Sequence, residues 1–380
     1  MSSFQSPAEE LASLERNGLR RRLRPLETPT HPRVIREGKV LWNFASNDYL
    51  GLCDSEELRQ AFLEGIARYG HGAGASRLIT GTQPPHLRFE EELAAAKGSE
   101  SALLFSSGYA TAVGVVPAIV GKGDFVILDK LCHASLIDGA RLSGATLRVF
   151  PHNEVGKLKH LLQSIRAKHP KTRILILTES VFSMDGDLAP LDQLVALKNE
   201  HDALLLLDEA HGFGVLGPKG MGLAEARHLQ ADIDFQMGTL SKAAALSGAY
   251  LACTRDWHDL LVNKARSFIF STAPPPALAH ACSTSLALLR GETGSKLRRA
   301  LRERVELLAP GHPSPIYPHQ CGSSESALQA STRLEDLGFL VPAIRYPTVP
   351  HGTARLRISL GANHPTEQVV DLQAALNSLT

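Results

Sequence analysis

An acidic tetrapeptide at the end of a leucine run is the first feature of this sequence that could carry chemistry. The stretch "ALLLLDEAHGFGVLG" (203–217) delivers Asp208 and His211 to the end of what must be a buried strand. Nucleic-acid-dependent ATPases place a carboxylate for Mg²⁺ in this way, but they also need the phosphate-binding pattern GxxxxGK[ST]. The chain has no such match. Its nearest glycine–lysine pair, Gly121-Lys122, is followed by Gly123, where the pattern requires serine or threonine. The missing motif therefore argues against an ATPase.

A lysine 34 residues after Asp208 indicates a different chemistry. The stretch "MGTLSKAAALSGAY" presents Lys242 after an apolar run, among residues small enough for a cofactor ring to approach. In pyridoxal phosphate enzymes a buried aspartate keeps the pyridine nitrogen protonated, and a lysine amine forms a Schiff base with the aldehyde. An isolated lysine is more often a solvated surface group. It is the placement of Lys242 after Asp208 that favours this cofactor.

Short apolar runs separated by helix-like or turn segments must position these residues. The runs are "ALLF" (102–105), "DFVILD" (124–129), "TLRVF" (146–150), "RILILTE" (173–179), "ALLLLDE" (203–209), "IDFQMGT" (233–239) and "GAYLACT" (248–254). Continuous apolar runs suit strands buried on both faces, and interposed helices imply a mostly parallel sheet with helices on both faces. The fold class is α/β, with functional groups expected at the carboxyl ends of the strands.

The pattern divides the chain into three predicted parts. An N-terminal arm covers residues 1–45, a large domain covers 46–272, and a smaller C-terminal α/β domain covers 273–380, where "FLVPAIRYP" and "ARLRISLG" have the composition of strands. The net charge of +1 gives no sign of a nucleic-acid partner. Five single cysteines lack zinc-site or disulfide spacing, and no apolar stretch is long enough for a membrane span. We therefore expect a cytoplasmic enzyme without a metal.

Longer motifs make the sequence resemble a known family, the α-oxoamine synthases, which are fold-type I pyridoxal phosphate transferases. The matching motifs run through nearly the whole chain: "NFASNDYLGL", "GAGASRLITGT", "LFSSGYATAVG", "CHASLIDGARLSGA", "ESVFSMDGDLAPL", "LLDEAHGFGVLG", "GTLSKA" and "PTVPHGTARLRISL". The resemblance implies condensation of an amino acid with an acyl thioester, with loss of carbon dioxide. It implies a homodimer with shared active sites, whose substrates are small molecules.

Among the members of this family, those of biotin biosynthesis are the most similar in motif. They imply L-alanine and pimeloyl thioester as substrates, with either coenzyme A or a carrier protein as the thiol. Sister activities remain alternatives: glycine with acetyl- or succinyl-coenzyme A, as in glycine C-acetyltransferase and 5-aminolevulinate synthase, or serine with a fatty acyl thioester, as in serine palmitoyltransferase. A non-catalytic interaction protein that kept the fold is a further alternative, against which the joint presence of Lys242, Asp208, His133 and His211 argues.

The resemblance also implies roles for residues around the cofactor. Lys242 forms the Schiff base and moves the substrate proton, Asp208 faces the pyridine nitrogen, and the His133 ring stacks on the cofactor. The remaining cofactor contacts are Gly108, Tyr109, Ser183, His211, Thr239 and Thr272, the last serving the phosphate in the partner subunit's site. One departure from the family is the run "AAALSG" after Lys242, where relatives often carry glycine.

Substrate contacts follow from the same resemblance. They are Arg20 and Thr348 for the acyl chain, Arg357 for the amino-acid carboxylate, and Asn47 and His133 near the substrate. Arg355 lies on the same face of the predicted strand as Arg357, so alternation alone cannot separate the two. The register within Arg20-Arg21-Arg22 is likewise open.

Overall fold

The computed structural model describes residues 6–28 and 32–379. They form two compact units. The central unit comprises Asn47–Ser183 and Asp187–Ala300. The terminal unit comprises the described residues of Met1–Ser46 and Leu301–Thr380, together with Met184–Gly186. The three-part division into 1–45, 46–272 and 273–380 stays a prediction.

Helices and strands alternate through both units. The helices are α1 (Pro7–Arg16), α2 (Glu56–Tyr69), α3 (Pro84–Lys97), α4 (Gly108–Ile119), α5 (Ala134–Leu142), α6 (Val155–Lys168), α7 (Leu191–Glu200), α8 (Leu223–Ala226), α9 (Arg255–Lys264), α10 (Arg266–Ile269), α11 (Pro276–Arg290), α12 (Glu292–Leu308), α13 (Ser324–Asp336) and α14 (Thr366–Asn377). The strands are β1 (Arg33–Arg36), β2 (Lys39–Asn43), β3 (Ser101–Phe105), β4 (Phe125–Asp129), β5 (Thr146–Phe150), β6 (Ile174–Glu179), β7 (Leu204–Asp208), β8 (Phe235–Thr239), β9 (Ala249–Cys253), β10 (Ile316–Gly322), β11 (Phe339–Leu340), β12 (Ala343–Ile344) and β13 (Ala354–Ser359). No helix among the described residues is both long and apolar enough to cross a membrane.

The central unit is built on a seven-stranded sheet with the order β3-β9-β8-β7-β6-β4-β5. All the apolar runs identified in the sequence form strands of this sheet. Only β9 runs against its neighbours, pairing antiparallel with β3 and with β8. The prediction of a mostly parallel α/β sheet is therefore confirmed.

Successive residues of the central strands enter different apolar cores. Leu175, Leu177 and Leu206 belong to one core, while Ile176 and Leu205 belong to another. Side chains alternate across a strand, so a strand with a core on each face must be apolar at every position. This explains why the runs are continuous instead of alternating with polar residues.

The parallel register brings the carboxyl ends of three strands together. Glu179 at the end of β6 pairs with Asp208 at the end of β7, and Asp208 pairs with Met237 of β8. Thr239 is the last residue of β8. The polar residues that end these strands therefore lie at one edge of the sheet.

The terminal unit holds two small sheets, with the orders β1-β2-β11 and β10-β13-β12. The run "ARLRISLG" forms β13 as predicted, but "FLVPAIRYP" gives two short strands, because Pro342 lacks the N–H that a ladder requires. The sequence reading did not anticipate β1, β2 or β10. The β1-β2 connection is a two-residue turn in which Glu37 and Gly38 have φ of 52° and 72°. This is the left-handed conformation that tight hairpins favour.

Candidate active site

A cavity of about 180 Å³ lies in the central unit at the carboxyl ends of its strands. Seven residues with predicted roles line it, together with five others. The lining residues are Gly108, Tyr109, His133, Ser135, Glu179, Asp208, Ala210, His211, Met237, Thr239, Ser241 and Lys242. The structure therefore brings Lys242, Asp208 and His133 to one site.

Lys242 begins a chain of polar contacts. Its Nζ lies 2.8 Å from His211 Nε2, and His211 Nδ1 lies 2.6 Å from the hydroxyl of Tyr49. The Tyr49 hydroxyl donates to Asn47 Oδ1 at 3.1 Å. Because a hydroxyl has a single proton to donate, His211 Nδ1–H must donate to Tyr49, which leaves Nε2 as the acceptor facing Lys242. Asn47, which the sequence predicts to lie near the substrate, accepts the last hydrogen bond of this series of contacts.

The loop after Lys242 takes its shape from tertiary contacts. Ala245 has φ of 60°, a conformation that glycine adopts at lower cost, and its N–H donates to the Lys242 carbonyl at 2.8 Å. The Ser285 hydroxyl donates to the neighbouring Ala244 carbonyl at 2.8 Å. The alanines that replace the family's glycine are therefore accommodated in a tight turn.

Asp208 is 4% exposed, and its Oδ1 accepts the Ala210 N–H at 2.9 Å. Burial raises the pKa of this carboxyl, while the nearby Lys242 acts in the opposite direction. A protonated ring nitrogen would offset the same desolvation, because it would place a positive charge beside the carboxylate. The position of Asp208 is therefore suited to hold such a ring.

His133 precedes α5 and borders the cavity. Its Nδ1 lies 2.8 Å from the Ser135 hydroxyl, and the surrounding protein desolvates the ring enough to lower its pKa. A neutral imidazole is the form that stacks on a cationic ring without charge repulsion. Tyr109 stands half-exposed nearby, with its hydroxyl donating to Asp138 Oδ2 at 2.9 Å.

The start of α4 forms the opposite end of the cavity. A side chain at Gly108 would make only an ordinary van der Waals contact with Met237 Cε, at 3.8 Å, so the protein leaves room next to this backbone. The first N–H groups of a helix lack partners within it and attract phosphate. Thr239 Oγ1 lies 2.8 Å from the Ser241 hydroxyl on the same side of the sheet edge. These groups would hold the phosphate of the cofactor.

Two of the predicted cofactor contacts lie outside the lining of this cavity. Ser183 is half-buried in the segment after β6. Thr272 is exposed and forms an isolated antiparallel bridge with Ser76. Thr272 would have to be exposed in order to reach the active site of a partner subunit.

The predicted carboxylate clamp lies on β13 in the terminal unit. Arg357 and Arg355 are both buried. The Arg355 guanidinium is paired with Asp185, whereas Arg357 Nη1 donates to the Ser359 hydroxyl at 2.8 Å. The ion pair gives Arg355 a structural task, which the alternation of the strand could not reveal.

The structure distinguishes the consecutive arginines near the N-terminus. Arg20 Nη1 lies 3.0 Å from Glu15 Oε2, whereas Arg21 Nη2 donates to Thr348 Oγ1 at 3.3 Å. Arg21, Thr348 and Arg345 border a cavity of about 190 Å³ in the terminal unit. Thr348 is therefore contacted by Arg21 and not by Arg20. Successive side chains of a non-helical segment point in different directions, so adjacent arginines can have different partners.

Sequence reasoning missed four residues of these sites: Glu179, Tyr49, Ser241 and Arg345. Glu179 and Tyr49 stand inside the quoted motifs "ESVFSMDGD" and "NFASNDYLGL", so the motifs themselves held the signal. Ser241 is adjacent to Lys242, and Arg345 lies three residues before Thr348.

Comparisons with known proteins agree with this geometry. The profile of the family "Aminotransferase class I and II" matches residues 39–376. An 8-amino-7-oxononanoate synthase of Geobacter sulfurreducens is 46% identical over 98% of this chain and 97% of that protein. A serine palmitoyltransferase from S. paucimobilis, solved with bound PLP-myriocin aldimine, is 29% identical with a TM-score of 0.91 over 98% of this chain and 96% of its own. The 8-amino-7-oxononanoate synthase structure from Francisella tularensis is 27% identical, with a TM-score of 0.76 over 89% and 97% of the two chains.

Proposed function

Since this chain belongs to the class I and II aminotransferases and, within them, to the α-oxoamine synthases, we propose that it makes 8-amino-7-oxononanoate from L-alanine and pimeloyl thioester. Carbon dioxide and the free thiol leave in this step of biotin biosynthesis. The structural observation that carries the proposal is the single cavity in which Lys242 lies beside His211 and shares the lining with Asp208.

The cofactor is pyridoxal phosphate, which supplies an aldehyde for attachment to an amine and a ring that withdraws electrons from the reacting carbon. The residues around the cavity suit each part of it. Asp208 would accept at the ring nitrogen, His133 would cover the ring face, and the start of α4 with Thr239 would hold the phosphate.

Lys242 and His211 are the pair that handles protons. His211 Nε2 accepts from the Lys242 amine at 2.8 Å, so the histidine orients this amine and lies within reach for proton exchange with it. A neutral amine is the form that attacks an aldehyde and that later removes a proton from an amino acid. Tyr49 fixes the tautomer through its contact with His211 Nδ1.

We assign the substrate ends to the terminal unit's arginines. Arg357 binds the amino-acid carboxylate, and this choice is supported by the engagement of Arg355 with Asp185. For the acyl end the assignment moves from Arg20 to Arg21, which contacts Thr348 and shares the cavity with Arg345. A cavity with two guanidinium groups suits the terminal carboxylate of a pimeloyl chain.

A homodimer is part of the proposal, and the surface of the central unit supports it. Ile79 and Phe270 are 75% and 69% exposed, and the turn Arg77–Gly81 packs against α10 next to Thr272. Large apolar side chains at such exposure mark interaction surfaces. Light scattering should give twice the chain mass of 41.0 kDa, and a monomer that retains full activity would refute shared active sites.

The compartment we propose is the cytoplasm, where thiols stay reduced. None of the five cysteines forms a disulfide bond among the described residues. Recovery of the native enzyme in a membrane or secreted fraction would refute this location.

A panel of substrates tests the proposed reaction. The purified holoenzyme would receive L-alanine, glycine or L-serine, each with pimeloyl-, acetyl-, succinyl- or palmitoyl-coenzyme A, and mass spectrometry would identify the products. We expect alanine with pimeloyl-coenzyme A to give the highest kcat/KM, because its terminal carboxylate can pair with Arg21 and Arg345, which acetyl and palmitoyl chains cannot do. Its additional methylenes favour it over succinyl by about 0.8 kcal/mol each. The serine palmitoyltransferase neighbours make that sister activity the main competitor. A higher kcat/KM for serine with palmitoyl-coenzyme A would replace the proposed substrates.

A further inference from the structure

Glu179 is a buried carboxyl of the candidate active site for which the proposed reaction gives no task. It ends β6, is 2% exposed, and borders the cavity. Its Cα pairs with that of Asp208 on the neighbouring strand. Within the described part of the chain, its Oε1 has no hydrogen-bond partner. A buried carboxyl oxygen in that condition costs free energy unless the site uses it.

The carboxyl of Glu179 joins two separate segments of the site. The backbone N–H groups of His133 and of Ser183 lie near enough to this carboxyl to act as donors to it, and both lower its pKa. His133 lies in the segment that follows β4, and Ser183 lies in the segment that follows β6. Each of these residues has a side chain with a predicted task at the cofactor. One carboxyl therefore lies next to both segments at the end of the sheet.

Burial is the main influence on the charge that Glu179 carries, and the neighbouring Asp208 adds to it. Burial raises the pKa of Glu179 to about 8, and repulsion from Asp208 adds to the effect, while Lys242 opposes it. Other ionisable groups close to the pair are His133, Glu209 and the thiol of Cys132. Two adjacent buried carboxyls share protons because both cannot ionise at low cost.

We propose that Glu179 is a positioning residue of the cofactor site, fastening the backbone at His133 and at Ser183 beside Asp208. It does so in its neutral form, so that Asp208 carries the single negative charge of the pair and directs it at the ring nitrogen. The inference rests on the use of pyridoxal phosphate in the proposed function, and it extends that function to a residue that does not touch the substrate.

Substitutions separate positioning from simple packing. Glu179→Gln keeps the shape, an oxygen to accept the backbone N–H groups, and a neutral charge. Glu179→Ala removes the acceptor and leaves two N–H groups without it. If Glu179 acts as a neutral positioning residue, cofactor binding should be kept in Glu179→Gln and weakened in Glu179→Ala. If Glu179 acts as an anion, binding should be weakened in both variants.

Glu209 offers a matched control within the same unit. It is fully buried, and its carboxylate accepts the N–H groups of Leu223 and Ala224 at 3.0 and 2.9 Å. It is absent from the lining of the candidate site. Glu209→Ala therefore removes a comparable pair of hydrogen bonds without releasing the segments that carry His133 and Ser183.

The experiment titrates the apo forms of the wild type, Glu179→Ala, Glu179→Gln and Glu209→Ala with pyridoxal phosphate. It measures the Kd, the visible circular dichroism per bound cofactor, and the Tm of each protein. We expect Glu179→Ala to raise the Kd at least tenfold and to lose most of the visible dichroism. Glu179→Gln should stay within about threefold of the wild type in Kd and keep the dichroism. Glu209→Ala should lower the Tm but leave the Kd within about threefold.

Several results would overturn the proposal. They are equal Kd values for Glu179→Ala and Glu209→Ala, or a folded Glu179→Gln that binds as weakly as Glu179→Ala. If Glu179→Ala does not fold, Glu179→Gln decides alone, because loss of its visible dichroism would contradict a neutral positioning role. Failure of the wild type to bind pyridoxal phosphate would instead remove the proposed function itself.

Discussion

Two carboxylate–histidine clusters lie at the carboxyl ends of neighbouring strands in the central unit. The pKa of the histidine is raised in one cluster and lowered in the other. In the His152 cluster, His152 Nδ1 lies 3.0 Å from Asp129 Oδ1 and Nε2 lies 2.7 Å from Asp187 Oδ2. These two carboxylates raise the pKa of His152 to about 10 despite the opposing effect of burial. In the candidate active site the pKa of His133 is lowered and the pKa of Asp208 is raised.

The difference shows how a structural cluster can be told from a chemical one. In the His152 cluster both ring nitrogens of the histidine and both oxygens of Asp129 have protein partners. The imidazolium therefore offsets part of the carboxylate charge inside the protein, and neither of its ring nitrogens is left for a ligand. In the candidate active site the carboxyls of Asp208 and Glu179 are buried together and border an open cavity. Lys242 offsets part of the cost of ionising Asp208, and a cationic ring in the cavity would offset more of it.

Lys242→Ala should produce the largest effect on the chemical side of this comparison. We expect turnover to fall by at least about three orders of magnitude, because the amine both attaches the cofactor and moves the substrate proton. The Tm should change little, since the side chain is only half-buried. Steady-state kinetics of a folded, cofactor-loaded variant checks this, and activity near that of the wild type would refute the role of Lys242.

Asp208→Asn should have the next largest effect. The variant should still bind pyridoxal phosphate but lose well over tenfold in kcat, because an amide cannot keep the ring nitrogen protonated by charge. Each lost pKa unit of bias corresponds to about 1.4 kcal/mol. A rate close to that of the wild type would mean that another group protonates the ring.

Arg20 and Arg21 show the same contrast in the terminal unit. Arg20 is paired with Glu15, whereas Arg21 borders a cavity. Arg21→Ala should raise the KM for pimeloyl-coenzyme A about tenfold, since the lost contact with a carboxylate is worth about 1.4 kcal/mol. Arg20→Ala is the matched control, with an expected change below about twofold, because Arg20 pairs with Glu15. Reversed effects in the two variants would return the assignment to Arg20.

His152→Ala should leave kcat within about threefold of the wild type, the smallest effect on turnover in this series. It should instead lower the free energy of unfolding by about 1–3 kcal/mol, because it leaves the buried Asp129 without its charged partner. Chemical denaturation at pH 7 measures the loss. A variant with normal stability and strongly reduced kcat would place His152 in the reaction instead.

The pH dependence of the unfolding free energy is a second test of the role of His152. The pKa of His152 is raised above that of an unfolded histidine, about 6.5. Its stabilisation is therefore complete below that value and is lost as the pH rises through about 10. The difference in unfolding free energy between the wild type and His152→Ala should shrink over this range.

The strands and the principal chemical residues could be predicted because their signals are local. Apolar runs identify the central strands, and the order of Asp208 and Lys242 along the chain indicates the cofactor. Glu179 could not be assigned a task, because its importance comes from burial beside Asp208, which only the pairing of β6 with β7 creates. The choice between Arg20 and Arg21 had no local signal either, since it depends on contacts with Glu15 and Thr348.

The β1-β2 hairpin shows a different limit of the sequence reading. Its tight turn is formed by Glu37 and Gly38, and one of these is not a residue that usually favours a left-handed conformation. The strands themselves carry exposed positions among the buried ones. A short, partly exposed strand therefore lacks the continuous apolar run that identified the central sheet.

Identification of the lysine that carries the cofactor tests the central claim most directly. Borohydride reduction of the holoenzyme fixes pyridoxal phosphate to the lysine that holds it, and peptide mass spectrometry then locates the added mass. Lys97 is an internal control, because it is a buried lysine whose Nζ donates to the Met221 carbonyl outside the candidate site. We expect the modification on Lys242 and its disappearance in Lys242→Ala. Modification of Lys97 or of any other lysine in the wild type would contradict it.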